Sequence, residues 1–368
     1  MFPNWVVSHE NNLNFIRFIL SSLVLFTHCF ALYYGGSKFE PFHEYGFTLG
    51  SLAVDVFFIL SGFLIAKSVF FSKDLISYFF ARVLRIIPAL IVVLILTVFI
   101  LGPIFTILPI DAYFYNFDTW SYLVRNTLLI FGINFTLPGV FESVPFQKSV
   151  NGSLWTLQYE VRLYALLFVF FITYEMFKNY NVRINKLNSY RLMFSCFFII
   201  ANYLYLMSEL QRMEYSKGYY LTFLFSLGSL LFIWSGISNA KYIFCFFILS
   251  VISLNALVLK TFFPVVFLPV ILFGIYLFGY VINVKLGKDY FKNNDISYGL
   301  YIYAFPVQQS LISISSDIGF ILYILLSFLL TVILAYASWI FIEKPFTLYK
   351  KQVVYFFKFF SFTRLRGK

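Results

Sequence analysis

Arg17 and His28 lie eleven residues apart in the run NNLNFIRFILSSLVLFTH. At about 100° per residue, such a step returns to within about 20° of the same helical face, about 16 Å further along the axis. A base and a fixed cation on one face of an apolar helix suit proton abstraction beside an anion. A snorkelling arginine and an unrelated inward-facing histidine also fit the pattern. Asp55 stands in VDVFFILSGFLI, and Glu160 in WTLQYEVR at the head of the apolar run from Leu154 to Ile172. Either carboxylate could hold one tautomer of His28 and stabilise its cation, and a structural ion pair explains either one equally. Arg82 and Arg85, three apart in YFFARVLRIIPAL, share a helical face. Arginine forks match phosphates, although two arginines at a membrane edge need no further reason than topology.

The elements carrying these side chains are apolar. Of 368 residues, 61% are hydrophobic, only 12% are charged, and the mean hydropathy is +0.84. A soluble domain of this length could not hide that much apolar surface. The composition predicts an all-α, polytopic integral membrane bundle of about ten transmembrane helices, because lipid offers no partner to an open backbone. The spans fall near 14–34, 48–70, 86–107, 154–174, 192–208, 218–236, 242–259, 263–283, 296–314 and 318–341. The charged side chains named above then lie within or beside lipid, where a charge costs roughly 2.5–3.5 kcal/mol on insertion scales and calls for a reason. His28, Asp55 and Glu160 are expected at one depth in the outer half of the membrane. Proton relays and ion pathways also use such groups.

The net charge of +11 sits in short connections, so it marks membrane orientation and anionic lipid, not nucleic acid. Basic residues gather after spans two, four, eight and ten, which puts both termini in the cytoplasm. Residues 118–135, DTWSYLVRNTLLIFGINF, read as an interfacial or re-entrant helix. The tail from residue 344 to 368 mixes basic and aromatic residues and is expected to lie on the inner leaflet. Asn151 or Ser153 is expected to cap span four, and Asp295 span nine; Glu343 is expected in a structural ion pair. Cys29, Cys196 and Cys245 lack metal-like spacing and read as buried thiols. The first apolar run has no basic lead or convincing cleavage site and reads as a retained helix.

Taken in order, these segments resemble the membrane acyltransferase-3 family, bacterial O-acyltransferases that modify cell-surface sugars. Arg17 and His28 reproduce its R-x10-H spacing. AVDVFFILSGFLI, RVLRIIPAL, LWTLQYEVRLY, ISYGLYIYAFPVQQ and FIEKPF resemble its further signatures. Two positions depart from the pattern: Ala304 stands where many relatives carry histidine, and Val161 leaves Glu160 without a second acidic neighbour. No esterase-like domain of the kind some relatives append is expected from these 368 residues. The resemblance implies a transmembrane acyltransferase domain over 1–343, with 344–368 as a cytoplasmic tail. It implies acetyl-CoA or another short acyl-CoA as donor, a lipid-linked or exported glycan as acceptor, and the bacterial cytoplasmic membrane as the location. No metal is implied. Arg17, Arg82 and Arg85 would hold the donor phosphates. His28 would be general base or transient acyl carrier, with Asp55 or Glu160 stabilising its cation. A glycan flippase is the rival reading, since transporters also bury charge among many helices.

Overall fold

The computed structural model describes residues 11–72, 74–179, 185–213, 216–235, 289–350 and 352–356. The spans expected at 242–259 and 263–283, Cys245 and the end of the tail lie outside them. Every long element described is helical. In chain order these are α1 (Leu13–Tyr34), α2 (Leu49–Phe71), α3 (Leu75–Leu96), α4 (Phe117–Leu128), α5 (Leu157–Asn179), α6 (Lys186–Leu210), α7 (Ser216–Trp234), α8 (Ser297–Ile314) and α9 (Phe320–Ser338). Among the described residues, six helical segments are long and apolar enough to cross a membrane, opening at Leu13, Leu49, Leu75, Gly152, Lys186 and Phe320. The protein is therefore an all-α, polytopic membrane protein.

One expected boundary was misplaced. Helix α3 begins eleven residues before 86, because Asp74 caps it, its side chain accepting from the Ser77 amide at 2.8 Å. Arg82 and Arg85 thus stand inside the helix and not in the connection before it. Pro88 is accommodated within α3. Beyond Leu96 the helix widens into a π turn, Thr97–Leu101, and closes with Gly102–Phe105. The Tyr113 hydroxyl, from the short helix Ile110–Tyr115, donates to the Val98 carbonyl at 3.0 Å, which gives a main-chain acceptor of the widened turn a partner.

The chain divides into two compact units, with boundaries inside α1, α2 and α5. The first holds residues 1–16, 55–72 and 163–294. Its defining contact is a near-touching of α2 and α7. A Cβ on Gly62 would lie 2.0 Å from the Phe225 carbonyl oxygen, and one on Gly228 would lie 1.9 Å from that of Ile59. Ser229 donates to the Gly62 carbonyl at 3.1 Å. Small residues that let backbones meet, sealed by a hydroxyl, are a usual way to join helices in lipid.

The second unit holds residues 17–54, 73–162 and 295–368. Its axis is α8, in which every residue from Ser297 to Pro306 is buried. Gly299 admits α9, since a Cβ there would sit 2.9 Å from Ala335 Cα. On its other side α9 presents Ile321, Leu325, Leu329 and Ile333, 76%, 62%, 55% and 55% exposed, an apolar stripe at four-residue spacing suited to lipid. The expected interfacial helix is α4. It ends where Leu129 turns left-handed, and Asn126 exchanges hydrogen bonds with the Asn134 backbone at 2.8 and 2.9 Å.

Candidate active site

In the second unit, several of the candidate side chains are strung along α8. At its start Asp295 accepts from both Arg17 and Arg85 through one carboxylate oxygen. Its other oxygen accepts from the Ser297 amide at 3.3 Å and from the Ser297 hydroxyl. The expected cap is found in part, since one oxygen accepts from the amide that opens α8, although the residue at the N-cap position is Ile296; the other oxygen is counter-ion to two arginines. The arginine side chains are 22% and 19% exposed, the carboxylate 7%. The arginines are thus partly exposed while their partner is buried. Arg82 sits in electrostatic reach of Tyr78 and Lys350 and joins neither ion pair.

Glu343 closes the same end. It terminates a second π turn, Trp339–Glu343, and is 1% exposed. The expected ion pair is not found among the described residues. Oε1 accepts from Ser338 at 3.1 Å, and Oε2 has no hydrogen-bond partner among the described residues. Arg85, Asp295 and Arg17 act on it only as nearby charges.

Tyr298 and Tyr301 form the next level. Tyr298 donates to the Ile86 carbonyl at 3.0 Å, and the Tyr301 hydroxyl is 2.7 Å from that of Thr156. Glu160 lies within electrostatic reach of both tyrosines. It is therefore nearer the arginine end than the histidine, one to two turns from its expected level. The cause is local. Residues Gly152–Thr156 form a 3-10 segment already inserted beside the middle of α8, so α5 starts deep. Asn151 donates to the Ile302 carbonyl at 2.9 Å, and Gly152 abuts the Phe305 ring. Neither Asn151 nor Ser153 makes the expected side-chain cap.

His28 marks the third level. Its ring meets Phe305 edge-on, with centroids 5.5 Å apart, and its buried Nδ1 has no partner among the described residues. One turn further, Gln308 donates to the Leu25 carbonyl at 2.8 Å and to Cys29 Sγ at 2.9 Å. Asp295 and Phe305 are ten residues apart, about 15 Å along a helix, which matches the rise from Arg17 to His28. The two helices run parallel, so the R-x10-H spacing puts its two ends against the two ends of one buried stretch of α8. Ala304, 2% exposed, belongs to that stretch.

Asp55 belongs to the first unit. Its carboxylate accepts from Tyr220 at 3.0 Å, and Tyr205 packs on the Tyr220 ring. The sequence reading offered an arginine or histidine partner and missed this tyrosine, which lies 165 residues away.

Residues 10–340 match the family profile described as "Acyltransferase domain". The chain belongs to that acyltransferase family. A relative named "O-acetyl transferase", from Shigella phage Sf6, is 29% identical over 350 residues, 92% of this chain and 96% of its own length. Another, "Nodulation protein 10" of Rhizobium leguminosarum bv. viciae, is 28% identical over 163 residues, 43% of each chain. No solved structure matches. The acyltransferase is thus a membrane-embedded enzyme of acyl transfer, and membership favours this activity over the flippase reading.

Proposed function

We propose that this acyltransferase moves an acetyl group from cytoplasmic acetyl-CoA to a hydroxyl of a lipid-linked or exported glycan, in the bacterial cytoplasmic membrane. One observation carries the reading: α8 is flanked by an arginine pair at one end and by His28 about 15 Å along, with polar side chains between them. The donor's phosphates fit the Arg17 and Arg85 forks, whose side chains are partly open where Asp295 is closed. Arg82 adds positive charge at the same helix. Acetyl-CoA supplies an activated thioester carbonyl.

His28 takes the proton of the acceptor hydroxyl as its oxygen bonds to that carbonyl carbon. The carbon–sulfur bond then breaks, and the proton passes to the departing thiolate. Glu160 stabilises positive charge along this path. General-base catalysis of this type contributes about 10²–10⁴-fold. His28→Ala in the purified, full-length protein should lower transfer from radiolabelled acetyl-CoA to glycan by at least about 10²-fold, with membrane insertion and yield held. Transfer at the native rate would remove His28 from the chemistry. Failure of the native protein to consume acetyl-CoA while using another acyl-CoA would correct the donor.

A further inference from the structure

Beside the His28 end of α8, four buried polar atoms have no hydrogen-bond partner among the described residues: His28 Nδ1, Asn151 Oδ1, Ser153 Oγ and Gln309 Oε1. Asn151 and Ser153 are each 1% exposed, and Gln309 is 0% exposed. Native interiors leave few such groups unmatched, and each one asks for an explanation.

These groups are neighbours through Phe305. A Cβ on Gly152 would lie 2.6 Å from the Phe305 ring, so the backbone between Asn151 and Ser153 lies against it. The His28 ring meets the same ring at 5.5 Å, and Phe146 meets it at 6.2 Å. Two of the amides are fixed from one side. Asn151 gives its NH₂ to Ile302, and Gln309 gives its NH₂ to the carbonyls of Phe146 and Ser149, both at 2.8 Å. What remains of each is an acceptor oxygen.

We propose that Asn151 and Ser153 form the acceptor subsite, holding a sugar by its hydroxyls beside His28. This rests on the reading of a glycan acceptor. A sugar offers adjacent hydroxyls that both donate and accept. The Asn151 oxygen accepts a hydrogen bond from one hydroxyl, and Ser153 can donate to or accept from another. A site with polar atoms waiting for hydroxyls also rejects acceptors that lack them, because the protein groups then stay unpaired.

Ser153 gives a test that folding does not confuse. Its hydroxyl bonds to nothing within the described protein, so Ser153→Ala removes an unmet buried group, and the melting temperature should hold or rise. A residue whose removal spares stability but weakens function marks a site. The full chain in nanodiscs would be given radiolabelled acetyl-CoA and the methyl glycosides of glucose, galactose and mannose. For whichever glycoside the native protein acetylates, Ser153→Ala should raise its KM roughly tenfold, with kcat little changed and acetyl-CoA affinity held. An unchanged KM would overturn the subsite while leaving the glycan reading intact. A lowered melting temperature would also overturn it, since the hydroxyl would then be a structural partner. No transfer by the native protein to any glycoside, with acetyl-CoA still consumed, would overturn the glycan reading and this subsite with it.

Discussion

Glu160 and Arg162 stand two apart on α5 and do different work. Two residues turn the helix by about 200°. Glu160 faces the tyrosines of α8. Arg162 is exposed, donates to the Ile130 carbonyl at 3.0 Å and lies over the Tyr159 ring. Glu160→Gln keeps the shape and removes the charge; turnover should fall about 10²-fold with expression intact. Arg162→Ala should cost about 1 kcal/mol of stability and leave turnover within a few-fold, measured by thermal melting and initial rates. Equal losses in the two variants would contradict this division. The sequence made such contrasts legible where the partners lie on one helix, as with Arg17 and His28. It could not reveal Asp295 as partner to Arg17, 278 residues away, because nothing in local pattern distinguishes a cap from a counter-ion. Asn151 and Ser153 were misread for the same reason: an N-G-S turn before a helix looks like a cap until its neighbours are known.

At the level of elements, the tightest demand is the meeting of α2 and α7. Gly62 and Gly228 each face a carbonyl at a distance no methyl group tolerates. Gly228→Ala should force the helices apart and cost about 1–3 kcal/mol, read as a lower melting temperature in detergent, whereas Gly319→Ala, which meets nothing within 4 Å, should be neutral. A neutral Gly228→Ala would mean that the contact is looser than described. Apolar runs made nearly all of the described helices legible in advance. The start of α3 was missed because hydropathy is blind to Asp74, whose capping bond extends the helix beyond its apolar stretch. The depth of α5 was missed because its 3-10 entry reads in sequence as more loop.

Across the whole molecule, residues 10–340 carry the family match, which ends just short of Glu343. From the alternation of basic connections, both termini are expected inside. In a variant whose native cysteines are serine, Lys148→Cys should react with a membrane-impermeant thiol reagent in intact cells, and Ser72→Cys only after permeabilisation. The opposite pattern would invert the orientation and, with it, the side from which the donor arrives. The charge alternation behind this inference was plain in the sequence, because basic loops obey a rule of position and need no knowledge of packing.

On the proposed donor site, Asp295 would be a rival to the donor. Two arginines already share one carboxylate, so a phosphate bound there would compete with a tethered anion. Affinity at this end is then a difference between two guests, one of which never leaves the protein. Asp295→Asn should destabilise the empty enzyme by about 1–3 kcal/mol, since two half-buried arginines lose their shared counter-ion. The same change should enlarge the rise in melting temperature brought by saturating acetyl-CoA. Such an enzyme would hold its donor more tightly yet be slower to release the spent coenzyme, so its turnover would become limited by exit. A donor-induced rise no larger than that of the native protein would mean that phosphate and Asp295 do not compete.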